Sequence, residues 1–218
     1  MARKSRDIPH SEHNETRMRR AWSWFHLSEK SKSSDEKFIF LWIAFNAAYG
    51  TELPDRSDDD GVTERDLFAD FVNKIVERDH EGAIEKTLWD TFSGPVHVLL
   101  KNEFVFGPFW KWVGERAQGK NWELKFKERN RRVFEALGAD NVPGVLEEVL
   151  ERLYQLRKQI IHGGTTFAVG KGRDQVRDGS KIMEALMPEI LKIMQADIDK
   201  NRDSEVWGRL NYPRAGDS

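Results

Sequence analysis

Residues 147–166 read EEVLERLYQLRKQIIHGGTT. Val149, Leu150, Leu153, Leu156, Ile160 and Ile161 recur at the three- and four-residue spacing of one helix face, and Leu146 extends the stripe backwards. Pro143 suits a first helical turn, where its missing N–H forfeits no bond. Gly163 and Gly164 end the run. The stretch is therefore expected to be an amphipathic helix facing a bundle core, with Arg157 and His162 near its C-terminal end.

The rest of the chain repeats this pattern. Residues 10–27 place Met18, Ala21, Trp22 and Phe25 on one face. Ser33 and Glu36 form a capping box ahead of Phe38–Tyr49, a run apolar on most sides and so expected to be central. Gly50–Gly61, with Pro54 and Asp58–Asp60, reads as a flexible acidic loop spanning about 50–62. Thr63 caps a third helix that buries Leu67, Phe68, Phe71, Val72, Ile75 and Val76 and ends near Asp79. From Glu81 to Gln118 the helical pattern is broken by Gly94–Pro95 and Gly107–Pro108. Asn121–Leu137 is helical again, with Trp122, Phe126 and Phe134 forming an aromatic stripe. Residues 165–180 have little helical character and suggest a loop or short hairpin. A last helix runs over about 181–200, and nothing after Arg202 is expected to be obligatory to the core, so 1–9 and 203–218 read as tails. No strand pattern alternates with these helices. The expectation is one all-α domain over 1–218, a bundle with additional short helices.

Composition narrows the function. Of 218 residues, 39% are hydrophobic and 33% charged, and no run approaches the roughly 20 apolar residues of a membrane span. The start is basic but lacks an apolar segment behind it, which argues against a secretory signal. Absence of cysteine excludes thiolate metal sites and fits a reducing cytoplasm. The net charge of -2 hides segregation. Thr51–Asp90 is strongly acidic, whereas Lys111–Arg132 is basic, so a basic face is expected despite the balanced total. Lys125, Lys127, Arg129, Arg131 and Arg132, interleaved with the aromatic stripe, are candidates for RNA backbone contact. The same run also suits a merely solvated helix face.

Other motifs carry little. His10 and His13 have an H-x-x-H spacing without further ligands, and Asp58–Asp60 suits a solubilising loop better than a cation site. His26 and His97 sit among apolar residues and read as packed core or surface residues. The G-K-G near residue 171 lacks the spacing of a phosphate loop, and no nucleophile elbow is present. Neither a metal nor a cofactor is expected.

Arg157 and His162 remain. Arginine forks onto phosphate oxygens, and a histidine at a helix C-terminus is poised for proton transfer near neutral pH. Either could equally be structural. Five residues at about 100° each set the two side chains about 140° apart on a straight helix. Convergence needs the long arginine, a loosened last turn, or a second copy of the chain.

Leu156-Arg157-Lys158-Gln159-Ile160-Ile161-His162-Gly163 resembles the R-x4-H signature of the HEPN superfamily (higher eukaryotes and prokaryotes nucleotide-binding domain). Phe40–Gly50, FLWIAFNAAYG, resembles the second-helix region of its stand-alone, ApeA-like bacterial members. The resemblance implies a bundle of four to five helices that dimerises so that two motifs share a cleft. It also implies a metal-independent endoribonuclease of toxin-antitoxin, abortive-infection or antiviral defence systems, with an antitoxin or defence protein as a possible partner. On this resemblance His162 is the general acid or base at the ribose 2′-OH, and Arg157 holds the scissile phosphate. Two departures stand out. Lys158 replaces the polar residue or histidine common after the arginine. Gly164 stands where members silenced by a nucleotidyltransferase carry tyrosine, so AMP transfer to the motif is not expected. Asn46 is either a buried polar residue with a local partner or a group standing behind the motif. The alternatives are a catalytically silent module that binds RNA, nucleotide or protein, and a helical dimerisation protein whose Arg157 and His162 brace an interface.

Overall fold

A computed structural model describes residues 8–51, 64–115, 121–164, 173–210 and 212. Among these residues the chain is all-α. Helix α1 (His10–Ser28) is followed by α2 (Ser34–Tyr49), α3 (Glu64–Arg78), α4 (Ala83–Thr91), α5 (His97–Lys101), α6 (Gly107–Glu115), α7 (Asn121–Gly138), α8 (Val142–Ile161) and α9 (Arg173–Lys200).

Local chemistry sets most boundaries. Ser33 Oγ accepts from the Glu36 N–H at 3.2 Å while Glu36 Oε2 accepts from the Ser33 N–H at 3.3 Å, the reciprocal capping box expected for α2. Asp79 closes α3 and opens α4, its carboxylate accepting from the N–H groups of Ala83 and Ile84 at 2.8 and 2.7 Å. At Gly94–Pro95 the chain kinks, with Gly94 at φ -119 and ψ -106, because proline cannot continue the ladder. Pro108 lies in the first turn of α6. Asn141 caps α8 by accepting from the Gly144 N–H at 3.1 Å.

α2 is central. Phe38, Leu41, Trp42, Ala44, Phe45 and Ala48 are all buried, and the helix packs chiefly against α1 and α9. α3, α4 and α8 close the remaining sides of one main core, which also takes in Val149, Leu153 and Leu156. A second, small aromatic core lies apart, where Phe106 and Phe109 beside and on α6 meet Trp122 on α7.

Two expectations are corrected. Residues 173–180 are not a loop or hairpin but the first turns of α9, which begins at Arg173. Apart from Val176 their buried face is polar or small, Gln175, Asp178, Gly179 and Ser180, so apolar periodicity does not report it. Gly179 explains the packing: a Cβ there would lie 2.6 Å from Leu156 Cδ2 and 3.3 Å from Leu153 Cδ2 and Phe38 Cε2, so its absence lets α9 press against α8 and α2. Arg173 also forks onto the Asp35 carboxylate of α2.

The segment after Arg202 is likewise not dispensable to the core. Trp207 is buried and donates from Nε1 to Asp197 at 3.0 Å, and Leu210 is buried as well. Arg17 of α1, fully buried, donates to the carbonyls of Gly208 and Gly50 at 3.1 Å and to Asn14 Oδ1 at 3.3 Å. Burial in this setting pushes its guanidinium down to about 10. Buried His13 accepts from the Leu210 N–H at 3.2 Å, which gives the H-x-x-H pair a packing role. Residues 1–7, Thr63, 165–172, 213–218 and the acidic triplet Asp58–Asp60 lie outside the described residues.

Candidate active site

α8 carries the motif because its apolar stripe holds one face in the core and leaves the opposite faces free. Arg157 emerges half-buried beside α2, directly after fully buried Leu156. Its Nε is buried and has no hydrogen-bond partner, and no carboxylate pairs with its guanidinium among the described residues. A buried donor left unmade is costly.

Arg157 lines an open cavity of about 390 Å³, together with Arg20 and Trp24 of α1, Trp42, Asn46 and Tyr49 of α2, Tyr154 of α8, and Leu210 and Tyr212 from the C-terminal segment. Among the described residues this lining has two arginines and no Asp or Glu. Arg20 donates to the Tyr212 carbonyl at 2.5 Å. Trp42 and Tyr154 rings stand 6.0 Å apart at 46°, in direct contact by the usual spacing of aromatic pairs. Lys158 is exposed and its Nζ lies 5.6 Å from the centre of the Tyr154 ring, a cation–π contact. A smaller void of about 80 Å³ between α2 and α8 again touches Asn46 and Arg157 and reaches Ile160 and Ile161.

His162 sits differently. Its N–H still donates to Lys158 O at 3.0 Å, and then Gly163, at φ 70, and Gly164, whose N–H reaches Gln159 O at 2.7 Å, close the helix in a C-terminal glycine motif. The imidazole is exposed and lines neither cavity. The five-residue separation thus has the consequence expected of a straight helix: within one chain Arg157 and Asn46 share a cavity, and His162 stands outside it.

The basic helix is only partly available. Arg131 and Arg132 pair with Glu135 and Glu128 one turn away on α7, and Arg129 reaches buried Glu148 of α8 at 3.2 Å. Lys125 and Lys127 have no such pair among the described residues. Trp122 is buried in the small aromatic core and Phe126 packs against it, edge-on to Phe106 at 5.2 Å, so neither is presented for stacking. Phe134 is exposed, with His97 against its ring. A groove of about 240 Å³ beside Lys125, Arg129 and Arg132 also holds three glutamates, so its charge is nearly balanced. His26 is exposed, paired with Glu29 at 2.9 Å. Among the described residues no three His, Asp or Glu side chains gather as a metal site, and no helix is long and apolar enough to cross a membrane.

Sequence reading missed Arg20, Trp24, Tyr154 and the C-terminal wall. Tyr154 was legible, since it lies three residues before Arg157 on the same helix face. Arg20 and Trp24, over a hundred residues away, gave no local signal. Comparison with known proteins returned no matching family model, no matching curated protein and no matching solved structure.

Proposed function

We propose that this chain is a metal-independent endoribonuclease of the HEPN type, working as a homodimer in defence or growth control. The observation that carries the reading is the state of Arg157: a half-buried cation with an unpartnered Nε, facing a cavity that no carboxylate lines among the described residues. A charge in that setting is balanced when an anion such as a phosphate arrives.

In this reading Arg157 holds the non-bridging oxygens of the scissile phosphate and stabilises their developing charge. His162 accepts the 2′-OH proton as the 2′-oxygen attacks phosphorus, the P–O5′ bond breaks, and the leaving 5′-oxygen takes a proton from water, whose hydroxide is neutralised by the proton held on His162. The products are a 2′,3′-cyclic phosphate and a 5′-OH end. Because His162 lies outside the cavity of its own chain, two copies supply the pair between them.

The test is incubation of purified protein with total RNA in EDTA. Wild-type protein is expected to cleave and His162→Ala to be inactive. Cleavage undiminished in His162→Ala would reject the assignment. The exposed position of His162 away from Arg157 favours a second reading, a binding module without catalysis. It predicts RNA binding that survives His162→Ala, weakens with salt, and is never accompanied by cleavage.

A further inference from the structure

The cavity beside Arg157 is more than a phosphate seat. At about 390 Å³ it falls within the roughly 300–1,000 Å³ of sites that hold small organic ligands. The groove beside α7 and a third hollow, lined by Arg78, Asp79 and Glu189 among others, are smaller, at about 240 and 250 Å³, and both contain carboxylates. Only an anion with a sizeable non-ionic part uses all that the described lining of the larger cavity offers: two arginines, no acid, and several aromatic rings.

Its polar and flat surfaces are separately placed. Trp42 and Tyr154, in mutual contact, leave no room for a ring between them and so form one aromatic wall. Trp24 adds an aromatic surface from α1. Asn46 projects from α2, a helix whose other buried residues are almost all apolar, and its half-buried side chain has no hydrogen-bond partner among the described residues. A carboxamide presents a donor and an acceptor side by side, the pairing that matches the edge of a nucleobase.

We propose that this cavity is a pocket for one unpaired nucleotide, with its phosphate held by Arg157 and Arg20, its base stacked on the Trp42–Tyr154 wall, and its edge read by Asn46. The inference deepens the ribonuclease reading, on which the phosphate role of Arg157 rests, by naming the substrate class as single-stranded RNA with a base preference at one position. Duplex RNA does not fit, because its bases are stacked and paired and are not free to lie against the aromatic wall. The same chemistry serves a free nucleotide.

The test uses His162→Ala protein, so that cleavage does not consume the ligand, and calorimetry with four probes: nucleoside 5′-monophosphates, ribose 5-phosphate, a short single-stranded RNA of mixed sequence, and a blunt RNA duplex. Asn46→Ala and Trp24→Leu are introduced into the same background. Asn46→Ala removes no existing bond, so its melting temperature should match the parent and certify the fold. Reading of a base edge by a side chain is worth about 1–3 kcal/mol, so Asn46→Ala should weaken nucleotide binding roughly 5- to 150-fold; Trp24→Leu, which removes aromatic lining, should weaken it as well, and ribose 5-phosphate should bind at least as weakly as those variants bind the nucleotide. Asn46-dependent binding of the single strand alone assigns the pocket to RNA, and of the monophosphate alone to a free nucleotide; either supports the proposal. Affinity indifferent to both substitutions, equal for single strand and duplex, or equal for ribose 5-phosphate and nucleotide overturns it, as does an absence of binding. Cleavage by a chain whose affinity ignores Asn46 refutes the pocket and spares the nuclease. Asn46-dependent nucleotide binding by a wild-type protein that never cleaves does the reverse.

Discussion

Arg17→Met isolates the bond set that holds the C-terminal segment against α1, and with it the wall that Leu210 and Tyr212 give the candidate site. Methionine fills most of the arginine volume, so the main loss is polar. Three acceptors lose their donor: Asn14 Oδ1 and the carbonyls of Gly50 and Gly208. At about 1.5–3 kcal/mol for each acceptor served by a charged donor, the loss is about 5–9 kcal/mol. Against this stands release of the desolvation cost that brings the guanidinium to about 10, worth about 3 kcal/mol at 1.36 kcal/mol per pH unit. The net expectation is a destabilisation of about 2–6 kcal/mol, or a melting temperature lower by at least about 4 °C in a chain of this size. Thermal and urea unfolding followed by circular dichroism measure it. Limited proteolysis should also show earlier cutting after Arg202 in the variant. A variant as stable as the parent would refute the reasoning, and would mean that the carbonyls find other donors at no cost.

Gly179→Ala places a methyl 2.6 Å from Leu156 Cδ2 in a full core. Overpacking of about 1–3 kcal/mol should exceed the gain of about 1 kcal/mol in helix propensity, so the melting temperature should fall; a rise would mean that Leu156 yields freely. Burial, then Arg209, His10 and Arg17, hold the His13 pKa below its ordinary value against a weaker pull from Glu12. The unfolded chain therefore binds the proton more readily, and stability, level above about pH 6.5, should decline as pH falls below it. Urea midpoints that do not change between neutral and mildly acid pH, or that change identically in His13→Asn, would contradict this. Asp79→Ala removes the acceptor of the first two N–H groups of α4 and should cost about 0.5–2 kcal/mol, read as a shift in urea midpoint; no shift would show that water replaces the cap.

Local chemistry was readable in the residues wherever it was self-contained. Ser33 and Glu36 sit three apart and cap each other, Gly94–Pro95 breaks a helix without help from the rest of the fold, and the Leu146–Ile161 stripe needs only its own period. What escaped was decided by partners distant in the chain. Residues 173–180 look like a loop because, Val176 apart, their buried face is glycine, serine, aspartate and glutamine, and it is Leu156 and Phe38, distant in the chain, that pack against Gly179. Trp207 gives no pattern by itself and is fixed by Asp197 and Arg78. On α7 the aromatic stripe suggested stacking surfaces, yet Phe106 and Phe109 claim Trp122 and Phe126. The pairing of Arg131 and Arg132 with Glu135 and Glu128 was visible at four-residue spacing. At the candidate site, Arg157 and Asn46 were readable and their shared cavity was not, since α1 and the C-terminal segment complete it.

In the proposed mechanism Arg157 of one copy works with His162 of another on RNA. Mixing two separately purified variants, Arg157→Ala and His162→Ala, in EDTA tests it most directly, because a mixed dimer keeps one intact Arg157 and one intact His162 on different chains. Each variant alone should leave RNA uncut, and after subunit exchange the mixture should cleave it to 2′,3′-cyclic phosphate ends at a rate set by the share of mixed dimers. A mixture as inactive as its components, beside an active wild-type protein, would contradict the two-chain site.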